Sequence, residues 1–153
     1  MLTYRLLTAA DFSSLYECFL VAFSDYQVDM QVSEQQFAQR LARDGVQLEI
    51  STAAFDDDRM IAFYINGTGE WQGRQTAYDA GTGVVPDYRR RGVAQELFAF
   101  TESKLRERSV SQYLLEVLTT NERAVALYRS WVLRRFVDLL CCDRNRRSNR
   151  STI

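Results

Sequence analysis

The chain has 153 residues, 46% apolar and 25% charged, with a formal net charge of -1. That is enough for one domain with a continuous core, and too balanced to draw nucleic acid or an anionic membrane by its overall field. It contains no histidine, which excludes a Ser-His-Asp triad, a Cys-His pair and any His-ligated metal. Cys18, Cys141 and Cys142 make a poor disulfide framework and suit a reducing, cytoplasmic compartment. No stretch approaches the roughly 20 apolar residues of a membrane helix. Residues 1–10 lack the basic start and long apolar run of a signal peptide.

In chain order, residues 2–7 predict a short strand. Thr8 with Asp11 reads as a capping box opening a helix through Phe12, Leu15, Phe19 and Phe23. A loop over 25–32 carries Tyr26 and Met30. Ser33 with Gln36 opens a second helix, which Gly45 ends. Residues 46–55 and 60–65 predict a hairpin across Asp56-Asp57-Asp58, and Asn66-Gly67 predicts the start of a Gly-rich connection reaching Gln75. Residues 76–85 predict the next strand despite Gly81 and Gly83, which suggest a bulge or a close approach by something outside the sheet. A helix follows over 92–108, then a buried strand over 113–118, a helix over 121–131 and a final strand over 134–142. The pattern predicts a mixed α/β fold, an antiparallel meander followed by strand–helix–strand–helix–strand with helices on both faces. It implies one domain over 1–142 and a polar, Arg-rich tail over 143–153, which is either loose or the shortened end of a domain.

The most informative segment is Val84-Val85-Pro86-Asp87-Tyr88-Arg89-Arg90-Arg91-Gly92-Val93-Ala94. A strand ends, an Arg-rich turn follows, and a helix begins on small residues. Unpaired N–H groups and the positive dipole end make such a helix start a phosphate site. Gly92 and Ala94 leave the backbone open, and Arg89, Arg90 and Arg91 add charge. The competing reading is an ordinary basic turn capping a helix. Rossmann and P-loop patterns are missing.

Arg89-x-x-Gly92-x-Ala94 after a strand resembles the coenzyme A-binding motif of the GCN5-related N-acetyltransferases (GNAT). Leu115-Glu116-Val117, Asn121, Ala124 and Leu127-Tyr128 are similar to a strand–helix segment of the ribosomal-protein alanine N-acetyltransferase branch. The resemblance implies a mostly antiparallel sheet splayed at the cofactor site, and acetyl-CoA as cosubstrate with no metal. It implies that the pantetheine arm lies along Thr82, Gly83 and Val84. It further implies that amides of Arg90, Arg91, Gly92, Val93, Ala94 and Gln95 wrap the pyrophosphate, and that Asn121 bonds the arm. Where the family has Gly-Phe after this helix, the chain has Val132-Leu133, so the helix runs on or turns without a glycine cap.

The implied chemistry is acetyl transfer to a primary amine of a small molecule or peptide, by direct attack in a ternary complex. Glu116 and Tyr128 match the branch's proposed base and acid. Glu116 has a second reading, as a structural carboxylate among Leu114, Leu115, Val117 and Leu118 that binds Arg or a backbone N–H. The resemblance places the acceptor beside Phe23, Asp25, Tyr26, Met30, Trp71, Tyr78 and Asp79; aromatics with carboxylates suit a cationic amine. The strand over 134–142 lacks a visible outer neighbour, which suggests a homodimer. Two other functions fit less of the sequence: a catalytically weak acyl-CoA-binding sensor, and a nucleic-acid accessory using Arg134, Arg135, Arg144, Arg146, Arg147 and Arg150.

Overall fold

Asp11 Oδ2 accepts the Thr8 backbone N–H at 2.8 Å and the Thr8 hydroxyl at 3.0 Å, and these bonds cap the 3-10 turn Ala9–Asp11 that leads from the first strand into the first helix. The structure is a computed structural model that describes residues 1–118, 120–132, 137–142 and 151–152. Strand β1 is Leu2–Leu6, followed by α1 (Phe12–Ala22), α2 (Glu34–Arg43), β2 (Thr52–Asp56), β3 (Arg59–Trp71) and β4 (Arg74–Val84). Then come α3 (Val93–Glu107), β5 (Gln112–Leu118), α4 (Glu122–Val132), β6 (Val137–Cys142) and β7 (Ser151–Thr152). The chain divides into two units, Met1–Gly67 with Ala80–Arg108, and Thr68–Asp79 with Ser109–Ile153.

In the first unit β1 pairs antiparallel with β2, Leu2 opposite Asp56 and Leu6 opposite Thr52. β2 pairs antiparallel with β3, with a register shift between Ala54 and Phe55. Adjacent residues of β3 show how the sheet is covered, since successive side chains point to opposite faces. Phe63 meets Phe19 of α1 at 6.2 Å between ring centroids, and Phe19 in turn meets Phe37 of α2 at 4.7 Å. Tyr64 meets Phe98 of α3 at 5.8 Å. α1 and α2 therefore cover one face and α3 the other. On the α3 side the Thr101 hydroxyl donates to Leu97 O at 2.7 Å, so Thr52 supplies the proton in the buried Thr52–Thr101 contact of 2.5 Å.

In the second unit the ends of β3 and β4 form a hairpin whose turn is Gln72 and Gly73, both left-handed at φ 52° and 73°. β4 then pairs parallel with β5 over Thr76–Tyr78 and Gln112–Leu114, and β5 pairs parallel with β6. β7 returns antiparallel to β6, with Leu140 opposite Thr152 and Cys141 opposite Ser151. The outer edge of β6 thus meets its own chain over two residues. The predicted strand start at 134–136, Leu133 and the tail arginines at 144–150 lie outside the described residues.

Two predicted boundaries move. The strand over 46–55 begins instead as a 3-10 turn, Leu48–Ile50, because Ser51 folds back, its N–H donating to Leu48 O at 3.0 Å and its hydroxyl to Gln47 O at 2.7 Å. Asn66-Gly67 starts no connection: β3 runs through it to Trp71. Asn66 is fully buried, its side-chain amide donates to Ile50 O at 2.9 Å, and its N–H donates to the Ser51 hydroxyl at 2.9 Å. The same serine causes both departures.

Gly81 and Gly83 have a packing cause. A Cβ at Gly83 would stand 2.7 Å from Phe63 Cζ and 2.9 Å from Ala22 Cβ, and one at Gly81 3.0 Å from Ile65 Cδ1. What approaches the strand at Gly83 is helix α1 and a neighbouring ring. Gly83→Ala is therefore expected to lower stability by about 1–3 kcal/mol, and Gly81→Ala by less, because the Ile65 methyl can swing aside. Chemical denaturation of the two variants checks the order.

Arg5 reaches Asp11 with both Nη atoms, at 2.9 Å and 2.7 Å. These bonds are the main cause that holds the Asp11 carboxyl well below the usual carboxylate range. A depressed folded value means stability that is present above about pH 4 and lost as pH falls further. Asp11→Asn should cost on the order of 1 kcal/mol at pH 7. Denaturation at pH 7 and pH 3 should show that difference narrowing in acid.

Candidate functional site

β4 leaves the sheet at Val84, and Val85 makes one more bond, its N–H donating to Ile61 O at 2.9 Å. Pro86–Tyr88 then forms a 3-10 turn that the fixed φ of proline suits. Tyr88 pins it by donating its hydroxyl to Asp56 Oδ2 at 2.5 Å. That bond is the leading cause holding the Asp56 carboxyl low and the Tyr88 phenol high. Arg91 lies with its guanidinium 5.3 Å above the Tyr88 ring.

The chain next takes two left-handed residues, Arg90 at φ 59° and Gly92 at φ 80°, and Gly92 caps α3. For arginine that conformation is uncommon. For glycine it is easy, and the position a Cβ would take at Gly92 meets only Glu96 Oε1, at 3.9 Å. Glu96 N–H donates to Gly92 O at 3.0 Å, so the helix ladder begins there. The N–H groups of Val93, Ala94 and Gln95, in the first turn, have no preceding helical carbonyl to reach. Arg90, Arg91, Gly92 and Gln95 are exposed, and Val93 is buried beneath them. Glu96 is held by a hydrogen bond from the Tyr4 hydroxyl, and burial with that bond lifts the Tyr4 phenol to about 12. First-turn amides at a positive helix end, with two exposed guanidiniums beside them, fit a pyrophosphate.

Arg89 does not join them as the sequence suggested. Its Nε donates to Val84 O at 3.1 Å, Nη1 to Asp25 Oδ2 at 2.6 Å, and Nη2 to Asp25 Oδ1 at 2.9 Å and Ala22 O at 2.7 Å. The guanidinium is committed to the protein. Asp25, expected on the acceptor side, has both oxygens on this fork, whose hydrogen bonds are the leading cause lowering its carboxyl. Val84, expected along the pantetheine arm, gives its carbonyl to Arg89. Thr82 is half-buried and Gly83 fully buried. Beside Asp25, the Phe23 ring stands edge-on to Tyr26 at 5.2 Å and 4.9 Å from Phe19, with Tyr26 exposed. Met30 is half-buried in the same loop. Ala22 and Asp56 were not singled out in the sequence. Their partners are 67 and 32 residues away, so no local signal marks them.

The second unit carries Trp71, Tyr78, Asp79, Glu116, Asn121 and Tyr128. Trp71 ends β3, and Tyr78 and Asp79 lie within β4, all half-buried. In β5, Tyr113, Leu115 and Val117 are buried on one face, and Glu116 is exposed on the other. Among the described residues Glu116 makes no ion pair or hydrogen bond, which removes the observation behind its structural reading. Asn121 caps α4, its Oδ1 accepting from Ala124 N–H at 3.3 Å and its carbonyl from Val125 N–H at 2.9 Å. Tyr128, half-buried in α4, follows Asn121 by two helical turns, so the two lie on one stripe of the helix.

The model of the acetyltransferase (GNAT) family matches residues 12–131. Among solved structures, the ribosomal-protein-S18-alanine N-acetyltransferase of Escherichia coli is 27% identical, with a TM-score of 0.66 over 86% of this chain and 76% of that one. A ribosomal-protein-alanine N-acetyltransferase from Brucella melitensis biovar Abortus 2308 shares the fold at 20% identity and TM-score 0.67, over 85% of this chain and 90% of that one. So does a Brucella melitensis GNAT family acetyltransferase in complex with acetyl-CoA, at 15% identity and TM-score 0.62, over 75% of each chain. No curated protein sequence matches. This match settles the family: the chain belongs to the acetyltransferase (GNAT) family of acetyl-CoA-dependent N-acetyltransferases, close to the ribosomal-protein alanine branch.

Proposed function

We propose that the chain moves the acetyl group of acetyl-CoA to a primary amine by direct attack within a ternary complex. The observation that carries this reading is the turn at Arg90–Gly92, whose two left-handed residues lead into a helix start without a side-chain cap beside two exposed guanidiniums. Acetyl-CoA supplies an activated acetyl group as a thioester. The chain's residues then have two tasks at the reacting end. An alkyl amine has a pKa near ~10 and must lose a proton before it attacks; Glu116, an exposed carboxylate, takes that proton directly or through a water. As the C–N bond forms and the C–S bond breaks, the Tyr128 hydroxyl gives its proton to the departing sulfur. Asn121 presents its side-chain NH₂ to the pantetheine arm, since its Oδ1 is held by the helix start. Thr82 is the strand-end residue left for that arm, since Gly83 is buried against α1 and the Val84 carbonyl is held by Arg89. Phe23, Tyr26, Trp71, Tyr78 and Asp79 are the candidates for the acceptor side. A peptide amine is the leading acceptor class, because the 27% identical Escherichia coli enzyme is by its name an alanine N-acetyltransferase of a ribosomal protein.

Thiol release assayed over peptides with N-terminal alanine, polyamines and aminoglycosides tests the activity. Turnover on at least one of them is expected. Acetyl-CoA binding without turnover on any of these amines would instead make the chain a sensor.

Replacing Gly92 by glutamate puts a bulky anion where the turn must admit phosphate, and the site should lose acetyl-CoA. Calorimetry on the folded variant is the check, and unchanged affinity would move the cofactor elsewhere.

Tyr128→Phe should cut turnover by roughly 10²-fold with acetyl-CoA affinity nearly kept. Glu116→Gln should keep its melting temperature, because the carboxylate is exposed, and recover rate as pH rises and neutral amine accumulates. Stopped-flow rates across pH decide both roles, and a wild-type profile in either variant removes that residue from the mechanism.

A further inference from the structure

We infer that Asp25 and Arg89 are positioning residues for acetyl-CoA: their ion pair sets the backbone of the phosphate turn and holds the Arg89 charge away from the ligand. The inference rests on the reading of the 90–95 turn as the pyrophosphate site.

Three segments meet at the Arg89 guanidinium. Val84 O is the last carbonyl of β4, Ala22 O belongs to the last residue of α1, and the Asp25 carboxylate lies in the loop after that helix. A cation at the C-terminal end of α1 is favoured by the helix dipole and bonds a carbonyl that has no partner within the helix. Arg89 immediately precedes the two left-handed residues that aim the amides, Arg90 and Gly92. A fork engaged by four hydrogen bonds in different directions fixes the plane of the guanidinium, and with it the backbone from which the turn starts. Lysine offers no such planar fork.

The charge balance follows from the same geometry. Of the three consecutive arginines, Arg89 is neutralised by Asp25, while Arg90 and Arg91 are exposed and make no salt bridge among the described residues. The pair also ties the α1–α2 loop, where Phe23 and Tyr26 stand, to the turn. Within the first unit the loop and the phosphate turn therefore share one bracket.

If Arg89 were instead a phosphate ligand restrained by Asp25, removing the aspartate charge would release it and tighten binding. The two ideas predict opposite signs. Asp25→Asn, Arg89→Lys and the double variant are compared with wild type by calorimetry with acetyl-CoA and by steady-state kinetics, at a temperature where each is folded by circular dichroism. The expected result is an acetyl-CoA Kd and KM raised by about tenfold in each single variant, with kcat at saturating acetyl-CoA changing far less. The double variant should be no worse than the worse single one, because both substitutions break the same fork. Tighter binding in Asp25→Asn, wild-type affinity in both single variants, or kcat falling in step with the folded fraction while KM stays constant would each overturn the inference. Wild-type protein that fails to bind acetyl-CoA would overturn the reading of the turn and this inference with it.

Discussion

The last turn of α1 comes so close to β4 that no side chain fits between them at position 83. Ala22 on one side and Gly83 on the other are the smallest residues available, and the Phe63 ring occupies what remains. That approach brings the Ala22 carbonyl within reach of a side chain leaving the end of β4. Arg89 takes it, and in doing so fastens the strand end, the helix end and the following loop together. Loss of contact here would undo more than core packing. The turn proposed for phosphate begins at the residue that makes these bonds, so an internal close contact bears on the geometry of the surface turn that follows it.

A chain without histidine must find its proton donors and acceptors among weaker candidates, and the anion site proposed at the start of α3, built from backbone, suits it. Amide N–H groups need no titration and do not depend on which side chains are present. What the sequence must supply is permission, through residues that tolerate left-handed backbone and expose little bulk. Gly92 does this at no steric cost, and Arg90 does it against its own preference. In α4, helical spacing alone places Asn121 and Tyr128 on one stripe.

Much of this was legible in the residues because the signals are local. The two capping boxes are four-residue patterns, and each forms as written, at Thr8 and Ser33. The strand–turn–helix layout at 84–94 is equally local: a strand end, a proline, an arginine run, a glycine. The illegible parts are those decided by distant partners. Arg89, Arg90 and Arg91 look alike in the sequence, and only Asp25, 64 residues away, separates the first from the other two. The glycines of β4 did announce a close approach, but the approaching object is the protein's own helix and side chains. Glu116 looked buried because its neighbours are apolar; alternation along a strand puts neighbours on opposite faces, and the carboxylate is exposed. Asn66-Gly67 read as the start of a connection because that pair usually ends a strand in a turn.

The fate of that pair bears on how the protein ages. An Asn-Gly step is the sequence most prone to spontaneous deamidation, in which the following backbone nitrogen attacks the side-chain carbonyl carbon and closes a five-membered succinimide. The reaction needs a backbone able to fold that nitrogen back onto the side chain. Here both residues are buried in the middle of a thirteen-residue strand, and the Asn66 amide is anchored on Ile50 O. The cyclisation geometry is withheld for as long as the strand is intact. The chemical clock at this position therefore runs only while the strand is open, and isoaspartate accumulating at residue 66 would record how much time each molecule has spent unfolded.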